Sequence, residues 1–173
     1  MSSSSSSSYE NENKCSSYCF YRLFENCSNL VGFSNLILDY AWLSDYCYAY
    51  MFDGCTSMVQ PPALSSINLA PHCYEGMFSG CTSLTTAPKL PAETLAESCY
   101  SHMFEGCTSL EQAPILYSRN LVENCYFEMF KNCSSLNNVK AGFTNWIAGA
   151  TTDWLYGVSN YGDFRILNKL SLV

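Results

Sequence analysis

A chain of 173 residues carrying a formal charge of −7 is long enough for one domain with a substantial core. Nearly half of it is apolar and only 13% is charged, so surface polarity must come from Ser, Thr, Asn, Gln and Tyr. Eight scattered basic residues make no phosphate-tracking stripe. This excludes nucleic acid and an anionic membrane surface as expected partners, and no apolar run is long enough to span a bilayer.

Residues 1–14 form a Ser-rich lead, too polar to bury itself and expected to be disordered. The lead shows neither a basic-then-apolar export signal nor a lipobox before Cys15. Three localisations stay open on this reading: the chain stays inside, it leaves by a route the sequence does not show, or its start has been rebuilt.

From Cys15 to Phe143 the sequence repeats. Cys73-Tyr-Glu-Gly-Met-Phe-Ser-Gly-Cys-Thr-Ser-Leu84 returns as Cys99-Tyr-Ser-His-Met-Phe-Glu-Gly-Cys-Thr-Ser-Leu110. Copies begin at 47, 73, 99 and 125, each 26 apart, and a degenerate one begins at Cys19. A fixed period in the twenties predicts a solenoid of about five coils, each burying its apolar side against its neighbours. Within a coil, Leu69, Cys73, Tyr74, Met77 and Phe78 predict one face of a helix. Its first-turn column reads Ser17, Asp45, Pro71, Glu97, Glu123, and Ser16 and Ser44 are candidate N-caps. The column Asn26, Gly54, Gly80, Gly106, Asn132 holds only residues that enter the left-handed region cheaply, and is read as the helix stop. A tight turn and a short parallel strand follow. Pro62, Pro88 and Pro114 each delete a backbone donor, so pairing of only two or three residues per coil is expected. Residues 144–173 read as a capping segment, with Trp146, Trp154 and Phe164 covering the open core and a last strand near Asp163–Leu167. The expected fold class is thus an α/β repeat.

The eleven cysteines fall where small core residues belong. One column holds 19, 47, 73, 99 and 125, and a second holds 27, 55, 81, 107 and 133. Eight residues of helix rise about 12 Å, too far for a bridge within a coil. No Cys-x2-Cys pair suggests zinc. His72 and His102 occupy different columns and make no ladder of bases or ligands. Asp53, Glu75, Glu105 and Glu128 read as solvated charges, and no Gly-rich phosphate loop is present. No residue is therefore assigned to catalysis, to a cofactor or to a metal, and the chain is expected not to be an enzyme.

The candidate function lies on the surface. The strand-start column Gln60, Thr86, Gln112, Asn138 is polar, uncharged and variable between coils, and forms the candidate partner-binding face. A second variable set, Tyr50, His102 and Glu128, lies on the helix side.

The string Met77-Phe-x-Gly-Cys-Thr-Ser-Leu-x-x-Ala-Pro-x-Leu-Pro-Ala-x-Thr-Leu-Ala96 resembles the BspA-like leucine-rich repeat proteins, over roughly residues 15–143. Trp154–Phe164 is similar to the segment after the last repeat in the bacterial members. The resemblance implies a leucine-rich-repeat solenoid on a cell surface or secreted, engaged in adhesion, with no catalytic residues to transfer. Two functions are expected from these readings. The first is a non-enzymatic module that binds a protein or glycan through its strand face. The second is a structural or assembly component, such as a virion protein, with weak self-association. A thiol-based redox or metal protein is the third alternative, and requires cysteines that react in the native state.

Overall fold

The computed structural model describes residues 13–167. The Ser-rich lead up to residue 12 and the tail from residue 168 lie outside the described residues. Four short strands occur: β1 (Ile37–Leu38), β2 (Ala63–Leu64), β3 (Asn138–Ala141) and β4 (Asp163–Ile166). β1 pairs with β2 and β3 with β4, both parallel, as two separate two-stranded sheets. Isolated parallel bridges continue the pairing, among them Thr86 to Gln112 and Gln112 to Asn138. β4 occupies the stretch read from the sequence as a last strand.

The expected helices do not exist. No described residue is α-helical, and the segments read as helices are runs of turns. In the winding that starts at Ser44, the N–H groups of Cys47, Ala49, Met51, Asp53 and Cys55 donate three residues back, to Ser44, Tyr46, Tyr48, Tyr50 and Phe52. The intervening N–H groups of Tyr46, Tyr48, Tyr50, Phe52 and Gly54 leave the segment altogether. They donate at 2.7–3.2 Å to the carbonyls of Pro71, Cys73, Glu75, Met77 and Ser79 in the next winding. An α-helix would return every N–H to the carbonyl four residues back. Here half of the donors are spent between windings, and the chain folds as a ribbon of overlapping turns.

The backbone angles follow from that division. Every fourth residue takes a positive φ: Tyr46 (56°), Tyr50 (53°) and Gly54 (74°), then His72 (58°), Gly76 (59°) and Gly80 (71°). The Gly/Asn column is therefore the last of three left-handed positions, and it ends a run of turns rather than a helix. Side chains in the other two columns pay about 1–2 kcal/mol each for that conformation. Bonds between windings, at about 1 kcal/mol apiece, and core burial offset it. The leucine-rich-repeat solenoid of five helix–turn–strand coils, with the leucine-rich-repeat and solenoid descriptions attached to it, is corrected on this ground. The chain has no helical layer, and among the described residues its regular strands are four short ones in two small sheets.

Successive windings nonetheless place like residues over one another, and the core consists of their ladders. Phe24, Phe52, Phe78, Phe104 and Phe130 stack at centroid spacings of 5.6–5.7 Å. Phe20, Tyr48, Tyr74, Tyr100, Tyr126 and Trp154 stack at 5.5–6.2 Å. Trp154 ends the second ladder, with Phe164 edge-on to it at 5.4 Å, whereas Trp146 is exposed. All eleven cysteines are free. The second-column thiols do more than fill space. The thiols of Cys55, Cys81, Cys107 and Cys133 donate at 3.0–3.3 Å to the carbonyls of Phe24, Phe52, Phe78 and Phe104 in the winding before.

Candidate functional site

The turn ribbons and the strand bridges present two different surfaces. On the bridge side, Thr86, Gln112 and Asn138 form one run of parallel bridges. Gln60 belongs to another row, bridged to Gly32. Among the described residues no bridge joins Gln60 to Thr86. A groove of about 640 Å³ opens between them, walled by Val59, Pro61, Pro62, Ala87, Pro88 and Pro91. Pro61 explains the gap, because it lacks the N–H that Phe33 and Ala113 use at the equivalent joints to donate to Gln60 and Asn138. Ligand clefts commonly hold about 300–1,000 Å³ and are mostly apolar with a few polar groups; Gln60, Thr86 and Lys89 supply the polar groups here.

A second trough, of about 490 Å³, borders the first at Pro91 and runs past Leu95, Thr94 and Glu93 to Asn68, Ile67 and Trp42. Trp42 is 53% exposed although its backbone is bridged to both Lys14 and Asn68. An indole held on a paired backbone offers a flat apolar face at little entropic cost. The sequence reading assigned Gln60 and Thr86 to the face but missed both the groove and Trp42. Three prolines close together in adjacent copies (61, 62 and 88) carry the available signal, of which the sequence reading takes up Pro62 and Pro88 only as residues that delete a backbone donor.

On the turn side, Tyr50, Gly76, His102 and Glu128 share one left-handed column with Arg22. The Arg22 guanidinium sits 4.5 Å from the centre of the Tyr50 ring and pairs with Glu25. Tyr50 in turn lies over Gly76, where a Cβ would collide with the ring. Burial pushes the Tyr50 hydroxyl up to about 12, with Glu75 adding to the effect. Further along, the His102 Nδ1–H donates to Glu105 Oε2 at 2.6 Å and stands 3.2 Å from Glu128 Oε2. The Lys131 ammonium lies 3.2 Å from Glu128 Oε1. His102 and Glu128 thus meet, while Tyr50 belongs to a separate cluster with Arg22.

His102, Glu105 and Glu128 bring one imidazole nitrogen and two carboxylate oxygens within 4.8 Å of one another. That donor set suits a divalent cation. Lys131 already neutralises part of its charge, and the group reads first as an ion-pair network between windings. Elsewhere on this surface the Tyr18, Tyr46 and His72 rings stack at 4.8 and 4.4 Å, and His72 Nδ1 meets Glu75 Oε2 at 3.1 Å.

No family model, curated protein or solved structure matches the chain.

Proposed function

We propose that the chain is a non-enzymatic binding or adhesion module that takes a protein or glycan on its bridge face. The observation that supports this reading is the proline-walled groove between Gln60 and Thr86, continued past Pro91 to the exposed Trp42. Apolar walls, uncharged amide and hydroxyl groups at the rim, and a presented indole suit a sugar ring or an extended peptide. The groups that could do chemistry are occupied elsewhere. The histidines bond to Glu75 and Glu105, and burial holds the Cys99 and Cys107 thiols protonated.

The test is selection of ligands from a glycan array and from a displayed peptide library with the intact chain. Binders recovered on the groove should weaken by about tenfold or more with Trp42→Ala, and with Gln60, Thr86, Gln112 and Asn138 all changed to Ala. Capture that these variants leave unchanged removes the bridge face from consideration, and libraries that yield no binder remove the reading itself.

A further inference from the structure

The hydrogen-bond scheme gives the stack a direction. In every winding the N–H groups that leave the ribbon point toward the following winding, and the carbonyls that receive them point back toward the preceding one. At the two ends of the described stack this polarity is left open. In the first winding the carbonyls of Ser17, Cys19, Tyr21, Leu23 and Glu25 face outward and accept no hydrogen bond among the described residues. In the last, the carbonyls of Ala150, Thr152, Trp154 and Tyr156 accept from Tyr126, Glu128, Phe130 and Asn132, and the N–H groups of Thr151, Asp153, Leu155 and Gly157 face outward without an acceptor. One end is a row of acceptors and the other a row of donors, at the spacing every internal joint uses.

We infer that copies of this chain stack head to tail, the last winding of one docking on the first winding of the next. The internal register fixes the alignment. The N–H of Thr151 stands where Tyr48 stands in its winding, so it meets the carbonyl of Cys19. Asp153, Leu155 and Gly157 then meet Tyr21, Leu23 and Glu25. The same register sets Asp153, whose φ is 50°, in the column of Tyr50 and Arg22, whose φ values are 53° and 55°. The exposed Asp153 carboxylate of one copy then lies over the Arg22 guanidinium of the next, and opposite charges face each other across the joint. Apolar surface is available on both sides: Tyr18 and Leu23 are each 54% exposed at the first end, and Tyr156 is 64% exposed at the last. All four residues of β4 are also exposed at the last end. A second copy is the occupant because its opposite end carries the complementary row in matching register. The two surfaces differ, so the contact does not close on itself as a twofold dimer and instead propagates.

Sedimentation velocity of the full chain from about 5 to 500 µM, with reductant to keep the exposed Cys27 from bridging first ends, tests the inference. The weight-average mass should climb with concentration and pass through dimer without a plateau. Asp153→Arg should weaken association by about tenfold, and combining it with Arg22→Asp in one chain should restore it. Far-UV spectra matching the parent confirm that the variants fold; Asp153 is exposed, so its single variant keeps the test available if Arg22→Asp does not fold. A protein that stays monomeric throughout, a mass that stops at dimer, or a double variant no better than the single one overturns the inference. Alanine substitutions at Thr86 and Gln112, which lie in interior windings, should leave the self-association unchanged, which keeps this test independent of the ligand test.

Discussion

Sulfur in this chain serves as packing atom and as donor at once. Cys107 is fully buried, and its thiol donates at 3.1 Å to the Phe78 carbonyl. Burial raises the second-column thiols, Cys55 to about 11 and Cys133 to about 12. Burial also takes Cys73 to about 12 and lifts Cys99 and Cys107 well above the ordinary range. Cys15 runs the other way: the Cys47 thiol hydrogen-bonds to it and lowers it, and the same contact raises Cys47. A raised folded-state pKa means that the unfolded chain releases its proton first. The thiols therefore contribute fully below the free-thiol value of about 8.5 and lose that contribution as pH rises toward 12. The urea midpoint should fall steeply between pH 8 and 10, and a flat profile would contradict this burial. Native thiol titration should show Cys27 reacting at once, Cys19 and Cys15 more slowly, and the other eight only on unfolding. The sequence placed these cysteines in core columns, but their bonding to Phe carbonyls depends on the winding above and has no local signature.

The turn ribbon makes a prediction of opposite sign to a helix. Ser98 has a φ of 52° and lies in the column of Tyr46 and His72. In a helix Ser98→Gly would cost a few tenths of a kcal/mol or more. In this ribbon it should stabilise by about 1 kcal/mol, measured as a shift in denaturation midpoint. Gly106→Ala should cost about the same amount through its φ of 75° alone, because a Cβ there meets nothing closer than 3.7 Å. The pattern that suggested helices was real but misassigned. Cys73, Tyr74, Met77, Phe78 and Cys81 are buried at i, i+1, i+4, i+5 and i+8. That spacing is strictly fourfold, and a helical face drifts from it by 40° every four residues. Two turns are too short for the drift to show, so the periodicity was legible and its cause was not.

At the scale of the molecule the windings carry the stability together, since each one bonds only to its neighbours. Removing Cys73–Ser98 joins two equivalent positions 26 residues apart, and the shortened chain should fold with a smaller denaturant m-value. A deletion one residue longer would set inward side chains outward and should fail to fold, as judged by loss of the cooperative transition. The binding groove belongs to this scale as well. Gln60 and Thr86 were readable as surface positions, but the space between them exists only because Pro61, Pro62, Pro88 and Pro91 from adjacent windings meet there.

What the sequence by itself determined is the spacing of like residues, hence that Thr86 meets Gln112 and Phe78 meets Phe104, and which columns face the core. Hydrophobic patterning settles these, because burial depends on a residue's type and its interval. Only the tertiary structure decided where the backbone donors go. A run of turns and a helix bury the same side chains at the same spacing. They differ in whether alternate N–H groups find an acceptor within the segment or in the next winding, and that acceptor lies 24 to 27 residues further along the chain.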